Sequence, residues 1–78
     1  MKRYILQLIE QDVYFENLDL TDIENSDVTS NLYKAEKFTE NDIDFLFNTN
    51  ENNVKIVEEY VKQVFNTQIA IIQVLTND

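Results

Sequence analysis

Seventy-eight residues are too few for two independent cores, so the chain reads as one domain, 1–78, whose apolar side chains are mostly committed to folding. Fifteen Asp and Glu against six Lys and Arg give a net charge of −9, which argues against direct binding to DNA, RNA or an anionic membrane and favours attraction to a basic protein surface. Cysteine, histidine and glycine are all absent, which removes disulfides, thiolate and imidazole metal ligands, an activated serine or cysteine nucleophile and every glycine-rich phosphate loop.

Residues 3–10, rich in branched and aromatic side chains, predict a strand buried on much of both faces. Glu10-Gln11-Asp12 is polar enough to turn the chain, and Val13-Tyr14-Phe15 then begins the second strand of a hairpin running to about Leu18. From Asp19 to Ser30 the periodicity breaks, as expected of a loop with room for one helical turn. Leu32 to Phe38 alternates loosely and reads as a short edge strand with its lysines facing water.

Thr39 followed by Glu40, Asn41 and Asp42 offers a helix N-cap with acids in the first turn, and Ile43, Phe45, Leu46 and Phe47 supply apolar side chains for roughly two turns. Asn48-Thr49-Asn50 ends that helix. The clearest helix is Glu51 to Phe65, where Val54, Val57, Tyr60 or Val61, and Val64 or Phe65 recur at three and four while Lys55, Glu58, Glu59 and Lys62 fall opposite. Ile69 to Leu75 is nearly all apolar and predicts a second strong strand beside the first. Leu6, Leu8, Val57, Val61, Ile71 and Val74 are the expected core. The fold class that follows is α+β, in the order β-β-(β)-α-α-β. It is a three- to four-stranded antiparallel sheet packed on one main helix, with residues 3–10 and 68–76 in its middle.

The stretch from Glu10 to Asp27 holds seven carboxylates and no Lys or Arg. A calcium loop needs oxygen ligands at alternate positions, a glycine at six and a glutamate at twelve, and Asp19-Leu20-Thr21-Asp22 does not supply them. A solvated loop and a docking surface for a basic partner both remain open for Asp12, Glu16, Asp19, Asp22, Glu24 and Asp27. Among the second group of acids, Glu40 and Asp42 are explained by helix capping, which leaves Asp44 and Glu51. Most of the aromatics belong to the core; the candidates for an interface are Tyr14 and Tyr33 near the acidic loop and one of Phe45 or Phe47, which are two apart and cannot share a helix face.

Lys2-Arg3-Tyr4-Ile5-Leu6-Gln7-Leu8, the Tyr14-Phe15 pair, Ala35-Glu36-Lys37-Phe38 before a Thr-capped helix, and the Ile-rich last strand resemble small acidic early-region proteins of phages and prophages of low-GC Gram-positive bacteria. That resemblance implies a host-takeover factor of the kind that includes anti-CRISPR proteins and inhibitors of host DNA enzymes. The expectation is a non-enzymatic, soluble, cytosolic inhibitor, without cofactor or metal. It would bind a basic, nucleic-acid-handling surface of a larger protein, for which a CRISPR effector nuclease is the most specific example. The alternative is a non-mimetic interaction or regulatory module, including a homodimer, in which the acids only solubilise. Acids gathered on one face would favour the first, and an exposed apolar strand or helix face the second.

Overall fold

Strand β1, Lys2–Leu8, alternates Tyr4, Leu6 and Leu8 on one face with Arg3, Ile5 and Gln7 on the other, and Ile5, Leu6 and Leu8 are all buried. A computed structural model describes residues 1–77 and places β1 inside a four-stranded antiparallel sheet ordered β3-β2-β1-β4. Strand β2 is Val13–Asn17, β3 is Asp27–Thr29 and β4 is Ile69–Leu75. β4 pairs with β1 along its whole length, from Leu8 with Ile69 to Lys2 with Leu75. β2 pairs with β1 only at Gln7 with Tyr14 and Leu8 with Val13, and it then diverges.

The gap left by that divergence is filled by the segment leading into the first helix. Phe38 exchanges two backbone hydrogen bonds with Tyr4, at 2.8 and 2.7 Å, and the Glu36 amide donates to the Phe15 carbonyl at 2.8 Å. β2 also has an irregularity between Phe15 and Asn17 that turns it toward β3.

Helix α1, Glu40–Asp44, starts in a capping box: the Asp42 amide donates to Thr39 Oγ1 at 3.1 Å and the Thr39 amide to Asp42 Oδ2 at 3.0 Å. It runs on into one π turn, Phe45–Thr49, whose widened end is closed by side chains, with Thr49 Oγ1 donating to the Asp44 carbonyl and Asn53 Nδ2 to that of Phe45. Helix α2, Glu51–Phe65, is capped by the Asn50 side chain at its start and by Asn66 in the left-handed conformation (φ 53°) at its end. Asn is the residue after glycine that tolerates that conformation best, and this chain has no glycine. The two helical segments lie on one face of the sheet, where Ile43, Leu46, Val57 and Val61 close over Leu6, Leu8, Phe15 and Phe38.

The α+β class, the element order and the bounds of α2 agree with the sequence reading, and three expectations are corrected. Leu32 to Phe38 is not a strand: Leu32–Lys34 forms a 3₁₀ turn begun by the Asn31 side chain, and only Phe38 enters the sheet. The third strand lies instead inside the supposed loop, after a 3₁₀ turn at Ile23–Asn25, because Val28 drops into the core opposite Phe15. Finally, β4 is an edge strand and not a middle one, since β2 and Phe38 occupy the other side of β1. Ile71 is consequently 45% exposed and Val74 only half-buried, although both belong to the expected core.

The β1–β2 turn places Glu10 (φ 70°) and Asp12 (φ 51°) in the left-handed region, where a side chain without the short local hydrogen-bonding reach of Asp costs about 1 kcal/mol or more. Glu10→Gly is expected to leave the urea midpoint unchanged or raise it, as relief of that strain offsets the added freedom of the unfolded chain. In the same denaturation series Val61→Ala should cost about 1–3 kcal/mol, because its side chain is fully enclosed. Ile71→Ala, at a half-exposed edge position, should cost well under half as much.

Candidate functional site

The connection between β2 and β3 is organised by its own carboxylates. Asp19 Oδ1 accepts three hydrogen bonds, from the Thr21 amide (3.0 Å), the Thr21 hydroxyl (2.7 Å) and the Asp22 amide (3.2 Å). The Asp19 amide donates across the loop to Ser26 Oγ at 2.9 Å, and Asn25 Nδ2 donates to Asp22 Oδ2. These contacts make an Asx-type turn leading into the 3₁₀ turn, and they hold the half-buried Leu18, Leu20 and Ile23 against the core. The Thr21 hydroxyl, followed by the Thr21 amide, holds the Asp19 carboxyl below the usual carboxylate range; desolvation opposes them, and the Asp22 amide adds the least of the lowering contributions.

Beside this loop lies a groove of about 330 Å³ lined by Asn17, Leu18, Asp19, Leu20, Glu36, Phe38, Asp42, Phe45 and Leu46. Three of those residues are acids drawn from three separate segments, and each is tied to backbone. Asp19 caps the loop, Glu36 Oε1 accepts from the Leu18 amide at 2.9 Å, and Asp42 belongs to the capping box. Because the carboxylates are held in place before any partner arrives, little side-chain freedom remains to be lost on binding. The groove's floor is apolar, and Phe45 is 56% exposed beside it.

Among the expected binding residues, Glu16, Asp19, Asp22, Glu24 and Asp27 are brought together around the β2–β3 connection, and all but the half-buried Asp19 are exposed. Asp12 is separated from them by the length of β2, in the β1–β2 turn. Asp44 is exposed at the end of α1, accepts from Asn48 Nδ2 at 2.9 Å, and does not line the groove. Tyr14 is half-buried on the sheet face away from the helices, paired with Gln7 and Thr29, and Tyr33 is 92% exposed on the 3₁₀ turn after β3. Glu36 and Asp42 were missed as groove residues. Capping accounts for Asp42 locally, and nothing near Glu36 in sequence announces that the Leu18 amide will need an acceptor. Phe45 is the exposed member of the Phe45/Phe47 pair, while Phe47 packs on the core.

Among the described residues, no three acids are placed to hold a metal ion together, and no helix is long and apolar enough to cross a membrane. Compared with family models, curated proteins and solved structures, the chain matches none. The site must therefore be read from its own chemistry.

Because Asp19 has a depressed pKa in the folded chain, its ionised form contributes stability that is fully present above the unfolded value of about 3.9 and is lost as pH falls through the lower folded value. Asp19→Ala should lower the urea midpoint at pH 7, and its deficit relative to wild type should narrow once the pH falls below about 4. Calcium, magnesium or zinc at micromolar concentration should leave the melting temperature of the wild-type chain unchanged.

Proposed function

We propose that this chain is a small cytosolic binding protein, with no catalytic activity, that docks on a basic, nucleic-acid-handling surface of a larger protein and blocks it. The observation that carries the reading is the groove in which Asp19, Glu36 and Asp42 surround an apolar floor beside the exposed Phe45. An interface needs a desolvated apolar anchor to set affinity and a charged rim to steer encounter, and both are present here within one surface. Glu16, Glu24 and Asp27 add acid around the neighbouring β2–β3 connection: they are exposed and make no side-chain hydrogen bond among the described residues, so their charge is not spent on the loop. With a net charge of −9, an approaching basic groove is attracted and free nucleic acid is repelled. The resemblance to phage early-region inhibitors makes a CRISPR effector nuclease the first partner to test.

A second reading, an interaction module that works through apolar surface, is favoured by a different observation: Ile71 and Leu75 are exposed on the edge strand β4.

A pull-down from a lysate of the source host, analysed by mass spectrometry, would supply the partner. Titration at several salt concentrations should then show weaker binding as salt rises, since exposed charges are screened beyond ~10 Å at 0.1 M. Reversing Glu16, Glu24 and Asp27 to lysine should weaken binding by about tenfold or more, chiefly through slower association, with an unchanged circular dichroism spectrum. These three are the informative positions, because reversal of Asp19 or Asp22 would also dismantle the loop. Phe45→Ala should weaken binding to a similar degree through faster dissociation. Affinity that ignored both salt and the reversals would reject the mimicry reading.

A further inference from the structure

Natural edge strands are blunted by charge, proline, a bulge or extreme shortness, since an unpaired ladder of amides and carbonyls is a template for another strand. The two edges of this sheet differ sharply in that respect. β3 is three residues long and begins with Asp27, whereas β4 is seven residues, pairs with β1 in unbroken register, and contains neither a charge nor a proline. The lack of charge extends well past the strand: no residue from Gln63 to Asn77 is charged, while elsewhere no more than six consecutive residues lack one. In a chain of net charge −9, the longest uncharged run therefore includes the whole of this edge strand, and two copies meeting there place no charged side chain of β4 against another.

The helix side of β4 is also incompletely covered. A groove of about 870 Å³ runs between α2 and the strand, with Ile9, Phe47, Ile69 and Ile71 contributing apolar surface. Glu10, Glu58, Glu59 and Lys62 line this groove, which borders the first half of β4 at Ile69 and Ile71, and they leave it an excess of two negative charges. At the other end of β4 the described residues bring a cation to the same face: Lys2 is paired with Leu75 on the neighbouring strand. Leu75 itself is 78% exposed.

We propose that the occupant of this edge is a second copy of the chain, with the two β4 strands pairing antiparallel about a two-fold axis through Ile72 to make a continuous eight-stranded sheet. An isologous contact requires a surface complementary to its own inverted image. β4 meets that requirement: inversion about Ile72 sets Ile72 against Ile72, Ala70 against Val74, Ile71 against Gln73 and Ile69 against Leu75. The exposed Leu75 of one copy thereby extends the floor of the other's groove beside Ile69. Lys2, one strand further out, is carried toward the opposing groove's acids, Glu10, Glu58 and Glu59. The charge asymmetry along β4 thus favours antiparallel pairing and disfavours parallel. The proposal builds on the second reading of function and is independent of the acidic groove, which lies toward the opposite edge of the sheet.

Sedimentation equilibrium on the full chain, from about 1 µM to about 500 µM, is the test, since strand-edge pairing of this extent fits a dissociation constant in the micromolar range. Wild type should shift with concentration from the 9.3 kDa monomer to a species of twice that mass and no further. Leu75→Glu, at a position too exposed to disturb folding, sets a carboxylate against the opposing acids and should weaken dimerisation by about tenfold or more. Lys2→Glu should weaken it as well, and adding Glu58→Lys with Glu59→Lys should restore it, a rescue that damage to the monomer fold would not produce. Partner binding through Glu16, Glu24, Asp27 and Phe45 should survive Leu75→Glu, which separates failure of this proposal from failure of the acidic-site reading. A wild-type chain that stays monomeric throughout the range, or a dimer indifferent to Leu75→Glu and Lys2→Glu, would overturn it.

Discussion

Everything on the helix side of this protein depends on how the second edge of β1 is shared. β4 takes one edge of that strand completely, but the other is divided between β2, which holds Gln7 and Leu8, and Phe38, which holds Tyr4 through two short backbone hydrogen bonds. Phe38 enters the sheet where β2 leaves it. Its ring joins the core beside Phe15, its position starts the Thr39 cap of α1, and Glu36 two residues earlier ties down the Phe15 carbonyl and the Leu18 amide. Had β2 stayed paired with β1 to its end, there would be no space for Glu36 between the strands, and the acidic loop and α1 would not border a common groove.

How much of this was legible depended on whether the deciding forces were local. The bounds of α2 follow from the spacing of Val57 and Val61 and from Asn at both caps, all within one segment. The capping box at Thr39 is likewise a short-range pattern. β3 was hidden because a three-residue strand carries no periodicity; it exists because Val28 meets Phe15 from across the sheet. The lysines near Tyr33 suggested an edge strand there, yet the backbone of that segment is bent by the Asn31 side chain, and Lys37 donates to the carbonyls of Leu32 and Ala35. The place of β4 at the edge could not be read from Ile69 to Leu75, since a run of apolar residues looks the same whether one neighbour or two lie beside it. Of the candidate site, the acids near the β2–β3 connection were visible as composition, whereas the contributions of Glu36 and Asp42 arise only when three distant segments meet.

The charge distribution also separates two kinds of acid that look alike in sequence. Asp19, Asp22, Glu36 and Asp42 each accept hydrogen bonds that a loop or helix start requires, so they would be present for structural reasons alone. Glu16, Glu24 and Asp27 have no such duty and add self-repulsion to a small domain that has no disulfide to offset it. The fold gives no reason for them, and under the proposed function they are the acids free to face a basic partner.

The pairing of β1 with β4 has a kinetic consequence. Strands at the two ends of the chain form the longest ladder of the sheet, so each of its hydrogen bonds closes a loop containing nearly all the intervening residues. Contacts so remote in sequence come late and slow the search for the native state relative to a helical protein of equal length. Until β4 arrives, the interior strand β1 has one edge open and Ile5, Leu6 and Leu8 exposed to whatever is nearby, which makes the incomplete chain, rather than the finished one, the form most in need of protection from aggregation.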